Sequence, residues 1–114
     1  MANISIIRAA PKVLRKIFNE NRFWERSVSG ELTTRVLKDR HPSLTVAQEP
    51  FCTRSQSVSY IDQEGNEVAR VHQYLRTDLT IGASGRPDPK RVLFEGRLYI
   101  VQEAPPVETS AESV

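Results

Sequence analysis

The spacing of apolar residues divides the chain into a helical first part and a second part rich in β-strands. Between Pro11 and about Arg26 the apolar side chains recur every three or four residues, which is the spacing of one side of an α-helix. They are Val13, Leu14, Ile17, Phe18 and Trp24. Pro11 suits the first turn of this helix, where an N–H group would have no partner in any case.

A second, shorter helix is predicted from Gly30 to Arg40. Ser29 is a suitable N-cap, and the dipeptide His41-Pro42 would end the helix, because proline disfavours helical backbone at the residue before it. The apolar side of this helix would consist of Leu32, Val36 and Leu37. Ahead of both helices, residues 3–7 form a short strand or a lead-in.

From residue 43 onwards the pattern predicts strands. Residues 43–47 (SLTVA) alternate, and Pro50 would end that strand or place it at a sheet edge. Residues 56–75 predict a hairpin with a three-residue connection that ends at Gly65, where a positive φ is needed. Residues 91–101 predict a second hairpin with Glu95-Gly96 at its tip.

These elements predict an α+β fold in which one or two N-terminal helices pack on a small, mainly antiparallel sheet built from two β-hairpins. Residues 1–102 would form the single domain. Residues 103–114 hold two adjacent prolines, three glutamates and few apolar side chains. We therefore expect a disordered acidic C-terminal tail there.

Composition and charge narrow the class of protein. The 114 residues are 39% hydrophobic and 26% charged, as in an ordinary folded domain. The formal net charge is +2, but without the three tail glutamates 16 basic residues stand against 11 acidic ones. No apolar stretch has the length of a membrane span, and no signal-peptide pattern is evident, so we expect a cytoplasmic protein without a membrane partner.

A row of basic residues follows the first predicted helix. Arg8, Lys12, Arg15, Arg22 and Arg26 are three or four residues apart, except for one gap at Asn19. On one helix they would form a stripe opposite the apolar side, and such a stripe matches the spacing of a phosphate backbone. The simpler interpretation is a charged helix face turned to water.

The strand at residues 70–76 (RVHQYLR) has polar side chains at every second position. Because alternate residues of a strand share a face, Arg70, His72, Tyr74 and Arg76 would project together. Arginines beside aromatic rings on a sheet can bind a phosphate backbone and stack unpaired bases. Equally, outer sheet faces often carry Arg and Tyr without any ligand.

The three-residue connection predicts a hairpin with Tyr60 opposite Val68 and Val58 opposite Arg70. In that register Tyr60, and Tyr99 from the last strand, would join the face with Tyr74. The opposite face, with Ala69, Val71 and Leu75 beside Ile61, Ser57 and Ser59, would be the core side.

The segment 82–91 contains two glycines, two prolines and three cations, Arg86, Lys90 and Arg91. Glycine frees the backbone N–H groups to approach an anion, although the order of residues differs from a phosphate-binding loop. A stiff loop of this kind also suits docking on a protein partner.

The leading hypothesis is therefore a small, basic, non-enzymatic binding protein that contacts nucleic acid or another polyanion through the helix stripe and the strand face. The alternative is an accessory or inhibitory subunit that docks on a larger protein complex, or on an acidic protein surface, through loop 82–91. A third hypothesis is a small metal-dependent nuclease using Asp88 and Glu95. No cofactor, catalytic residue or metal ligand is predicted with any specificity, and the pattern predicts no oligomeric state.

Overall fold

The computed structural model describes residues 4–40, 52–82 and 85–102, which form eight elements. In chain order these are β1 (Ser5–Ala9), α1 (Pro11–Glu20), α2 (Phe23–Ser29), β2 (Thr33–Arg40), β3 (Arg54–Ile61), β4 (Glu67–Leu75), β5 (Asp88–Phe94) and β6 (Arg97–Val101).

The six strands make one sheet in the order β1-β6-β5-β4-β3-β2. Strand β1 runs parallel to β6, and every other neighbouring pair is antiparallel. The predicted α+β class with a mainly antiparallel sheet is thus confirmed. The sheet is larger than predicted, because β1 and β2 flank the two predicted hairpins as its edge strands.

Both helices pack on the same face of the sheet. Leu14 and Phe18 of α1 and Phe23 of α2 are buried. They join a core cluster with Val58, Tyr60, Ala69, Val71 and Val92 from the three central strands, together with Leu32. The ring of Phe18 contacts those of Phe23 and Tyr60, each at 5.6 Å between centroids. Aromatic pairs at this separation stabilise a core beyond the area that they bury.

The predicted first helix is divided in two at residues 21 and 22. The side chain of Asn21 donates a hydrogen bond to the carbonyl oxygen of Ile17, 2.9 Å away, which satisfies one of the last carbonyl groups of α1. Arg22 then adopts a left-handed conformation with φ of 57°. That conformation cannot continue a right-handed helix, so α2 begins in a new direction.

The predicted helix from Gly30 to Arg40 is wrong, because Thr33–Arg40 is the edge strand β2. Gly30, with φ of 91°, ends α2 in the left-handed conformation typical of a glycine after a helix. Thr33, Thr34 and Val36 are β-branched and favour extended backbone. Leu32 alone of the predicted apolar side is buried, whereas Val36 is 50% exposed.

The β3–β4 hairpin forms, but its register differs from the prediction by one residue. Tyr60 lies opposite Ala69 and Val58 opposite Val71. The predicted three-residue connection is present, because the N–H of Asp62 donates to the carbonyl oxygen of Asn66 at 2.9 Å and Gly65 has a positive φ of 89°. The register changes at a bulge between Tyr60 and Ile61. A shift of one residue reverses the face of every side chain on β3.

This register corrects the composition of the two faces. Tyr60 is 1% exposed and belongs to the core, and Tyr99 packs against the core from β6, so neither accompanies Tyr74. Ser57 and Ser59 lie opposite His72 and Arg70 on the other face.

The β5–β6 hairpin has the predicted tip. Glu95 and Gly96 both have positive φ, 52° and 76°, as two-residue turns between twisted strands require. The predicted strand 43–47, its end at Pro50 and the predicted tail 103–114 lie outside the described residues. Among the helices that are described, none is long and apolar enough to cross a membrane.

Candidate nucleic-acid interface

The sheet face opposite the helices, which we call the outer face, carries five of the twelve side chains predicted for binding: Arg8, Arg70, His72, Tyr74 and Arg91. The prediction that Ala69 and Val71 face the core is confirmed, since both are 1% exposed. Arg70, His72 and Tyr74 alternate with them on β4 and are half-buried. None of the described helices packs on the outer face, because the buried residues of α1 and α2 all join the core on the opposite side.

One row of paired residues crosses the outer face over all six strands. Arg35 of β2 is opposite Ser59, Ser59 is opposite Arg70, and Arg70 is opposite Arg91. Arg91 is in turn opposite Ile100, which is paired with Arg8 of β1. We call Arg8, Arg35, Arg70 and Arg91 the arginine row. At about 4.8 Å per strand, it extends about 24 Å across the sheet.

Glu67 is the counterion of the arginine row. Arg70 and Arg91 are directly opposite each other, an arrangement that like charges normally disfavour. The carboxylate of Glu67 accepts two hydrogen bonds from Arg70, each 3.1 Å long, and a third from Ser59. Burial alone would raise the pKa of Glu67, but these hydrogen bonds and the charges of Arg70 and Arg91 lower it. The ionised carboxylate therefore binds Arg70 and reduces its repulsion with Arg91, and the row keeps a positive excess.

Next to the arginine row, two further rows contain cations and the predicted aromatic residues. Lys38 is opposite Ser57, which is opposite His72, and His72 is opposite Asp88. Arg40 is opposite Ser55, which is opposite Tyr74. The outer face thus combines cationic groups, hydroxyl groups and aromatic rings over three strands, β2 to β4.

His72 and Tyr74 form a contact pair. Their rings meet edge to face, with centroids 4.8 Å apart, and His72 Nε2 lies 2.7 Å from the hydroxyl oxygen of Ser55. Burial and the nearby charge of Lys90 lower the pKa of His72, although Asp88 acts in the opposite direction. The imidazole is therefore neutral at pH 7, and its ring adds a flat, uncharged surface beside Tyr74.

The β5-β6-β1 side of the outer face is apolar. Leu93 is opposite Leu98, and Leu98 is paired with Ile6, which is 64% exposed. These side chains lie next to Arg8 and Arg91. Apolar groups beside cations suit a ligand that has both flat, weakly polar surfaces and negative charge.

The five residues of the predicted helix stripe do not share one helix. Arg8 lies on β1, and Lys12 and Arg15 lie on α1. Arg22 is the residue with left-handed backbone conformation between the two helices. Arg26 of α2 binds Glu31 at 2.7 Å and lies 5.0 Å from the centre of the Phe23 ring. The prediction that these five residues form one stripe on one helix is wrong, because the chain changes direction between β1 and α1 and again between α1 and α2. Of the five, Arg8 alone lies on the outer face. Binding by the other four stays a prediction.

The other predicted residues lie near the end of β4. Arg76 follows β4, and its N–H donates to the carbonyl oxygen of Thr80 at 2.9 Å in a tight turn. The predicted loop 82–91 is shorter than expected, because residues 88–91 belong to β5. Ahead of β5, Arg86 binds Glu25 of α2 at 3.0 Å, and within β5 Lys90 binds Asp88 at 3.0 Å, whereas Arg91 belongs to the arginine row.

The acids of the nuclease hypothesis are far apart. Asp88 begins β5 and Glu95 follows its other end, a separation of about 23 Å at 3.3 Å per residue. Two carboxylates so placed cannot bind one ion together. Within residues 4–40, 52–82 and 85–102, no group of three His, Cys, Asp or Glu residues could hold a metal ion.

Sequence reasoning missed Arg35, Lys38 and Arg40, because β2 was interpreted as a helix. The available signal was the run of β-branched residues at its start, Thr33, Thr34 and Val36.

Comparisons of this chain with protein-family models, with curated proteins and with solved structures found no match. Its function is therefore argued from the geometry of the outer face.

Proposed function

We propose that this protein binds nucleic acid, as a single strand, across the outer face of its sheet. The observation that supports this most directly is the arginine row, in which four arginines from four strands are in register on the face that the described helices leave open. Phosphate groups are the usual ligands of such a row, because the guanidinium group binds their oxygens with two hydrogen bonds.

A single strand suits the face better than a duplex does. The pair of His72 and Tyr74 and the apolar side chains around Ile6 offer surfaces for the flat faces of bases. Bases are exposed in a single strand but stacked on each other in a duplex, so only the single strand can use these surfaces. The rest of the face holds cations and hydroxyl groups, which bind phosphate oxygens, together with the carboxylates of Glu67 and Asp88.

A salt series tests the proposal. We expect the logarithm of the association constant for a single-stranded oligonucleotide to fall linearly with the logarithm of salt concentration, with a slope of about −0.7 for each phosphate contact. Four contacts would give a slope near −3, measurable by fluorescence anisotropy. A duplex of the same length should bind more weakly. The absence of binding at about 50 mM salt would exclude the proposal.

Acidification should strengthen binding through His72. Its lowered pKa means that the folded protein without ligand resists protonation, while the unfolded chain takes up the proton near pH 6.5. Stability should therefore decrease as pH falls from above 6.5 through the lowered pKa. A bound phosphate stabilises the charged imidazole of His72, so it opposes the loss of stability at low pH.

We accordingly expect oligonucleotide affinity to rise by up to about fivefold between pH 7.5 and 5.5, the equivalent of one added cationic contact near 0.1 M salt. The comparison is with His72→Gln, in which the rise should be much smaller. Equal pH profiles for the two proteins would show that His72 does not contact the ligand.

The accessory-subunit alternative stays a prediction from the sequence. It requires co-purification of a protein partner that survives nuclease treatment, and dependence of that association on loop 82–91.

A further inference from the structure

The sheet has a break between β4 and β5, and a pocket lies at that break. Pairing of β4 with β5 stops at His72 and Asp88, whereas two residues further along β4 the N–H of Gly82 donates to the carbonyl oxygen of Tyr74 at 2.7 Å. Residues 85–87, directly before β5, belong to no strand, and there Arg86 contacts Glu25 of α2. The pocket measures about 580 Å³ and is lined from both faces of the sheet. We call it the loop pocket.

Cations from three parts of the fold converge on the loop pocket. Arg15 comes from α1, Arg86 from the loop and Lys90 from β5. Asp88 is the acidic residue among the lining residues, and it lies 3.0 Å from Lys90 Nζ and 3.7 Å from the guanidinium of Arg15. One carboxylate thus contacts two cations from different elements. Because Glu25 of α2 binds Arg86, three cations stand against two carboxylates, an excess of one positive charge.

The pocket also has an aromatic wall. His72 and Tyr74, whose rings contact each other, both line it. Their side chains are half-buried, so part of each ring faces the cavity. A volume of this size falls in the range of small-molecule sites, roughly 300–1,000 Å³.

We infer that the loop pocket binds one nucleotide unit together with its phosphate. The phosphate would lie between Arg15, Lys90 and Arg86, which would share their charge between it and their present carboxylate partners. The base would lie on the ring of Tyr74. This inference rests on the proposed function, because His72 and Tyr74 belong to both the outer face and the pocket. A strand lying on the outer face would therefore have a nucleotide within reach of the pocket.

Titration with small probes tests the inference without an oligonucleotide. Adenosine 5′-monophosphate, adenosine and inorganic phosphate would each be added at low salt, and amide chemical shifts recorded. We expect the monophosphate to bind at least tenfold more tightly than either fragment, because it alone fills the cationic and aromatic parts together. The shifts should centre on residues 72–74 and 88–90.

Two variants and one matched control locate the binding. Arg15→Gln and Tyr74→Leu should each weaken binding of the monophosphate at least fivefold. Lys12→Gln removes an exposed cation from the same helix outside the pocket and should leave the affinity for the monophosphate unchanged. Equal effects of Lys12→Gln and Arg15→Gln would overturn the inference, as would a monophosphate no tighter than phosphate.

The same wild-type protein separates failure of the pocket from failure of the proposed function. Oligonucleotide binding with a steep salt slope, but no saturable binding of the monophosphate, would exclude nucleotide binding in the loop pocket and support binding on the outer face. Saturable binding of the monophosphate without oligonucleotide binding would exclude single-strand binding on the outer face, and the loop pocket would then be a site for mononucleotides.

Discussion

Replacement of Arg8, Arg35 and Arg91 by glutamine is expected to weaken binding of a single-stranded oligonucleotide about 100-fold near 0.1 M salt. Each lost phosphate contact reduces the salt slope by about 0.7, so three contacts change the logarithm of the association constant by about 2 at that salt concentration. The slope itself should fall by about 2. Fluorescence anisotropy at four salt concentrations measures both quantities.

Arg70 is deliberately kept in this variant. Its guanidinium pairs with Glu67, which is partly buried and also bonded to Ser59. Removal of Arg70 would leave that carboxylate without its main partner, and the cost would appear as lost stability rather than lost binding. Arg8 and Arg35 are exposed and Arg91 is partly exposed, so we expect their replacement to remove charge from the outer face with little change in the stability of the fold.

A second triple variant is the matched control. Lys12→Gln, Lys16→Gln and Arg22→Gln remove the same three charges from exposed positions on the helical side of the molecule. If binding depends on the outer face, this protein should keep most of its affinity and its salt slope. Equal losses in the two triple variants would mean that net charge alone attracts the ligand, and the arginine row would then have no special role.

The arginine row shows what local sequence could and could not predict. The face of β4 follows from alternation within one strand, and Val71 is buried while Tyr74 is not, as predicted. The row, in contrast, depends on five separate strand pairings. Those registers depend on bulges next to Tyr60, Arg70 and Val36, and the alternation of apolar and polar residues does not predict where a bulge occurs.

Pairing between distant parts of the chain was the other missing information. Arg8 belongs to the arginine row because β1 pairs in parallel with β6, a strand near the other end of the described sequence. Arg8 is four residues before Lys12, so the spacing of basic residues alone predicts that Arg8 belongs to the helix stripe. The loop pocket was missed in part for the same reason, since Arg15 and Asp88 are far apart in sequence and meet only when α1 packs over β5.

Replacement of Tyr60 by alanine is expected to lower the free energy of unfolding by about 3–5 kcal/mol, the cost usual for a large buried aromatic residue. Tyr60 is 1% exposed and its ring contacts that of Phe18. Burial also raises the pKa of its hydroxyl group, although a hydrogen bond with Ser27 partly opposes this, so the side chain stays neutral. Urea unfolding followed by circular dichroism measures the loss.

Tyr74→Ala is the matched comparison, because it removes the same type of side chain from the same hairpin, but from the outer face. Its cost in stability should be about 1 kcal/mol, as for partly exposed positions. Its effect on binding should be the larger one, since stacking of a base on an aromatic ring contributes about 1–3 kcal/mol. Tyr60→Ala, at a temperature where it is still folded, should bind the oligonucleotide normally.

The two tyrosines therefore separate folding from binding. A domain of this size is typically stable by about 5–15 kcal/mol, so Tyr60→Ala can remain folded or lose most of its structure, and either result agrees with a buried Tyr60. Equal costs in stability for the two variants would instead contradict the one-residue register that places Tyr60 opposite Ala69. Unchanged binding by Tyr74→Ala would show that bases do not stack on the outer face, and binding there would then depend on the arginine row alone.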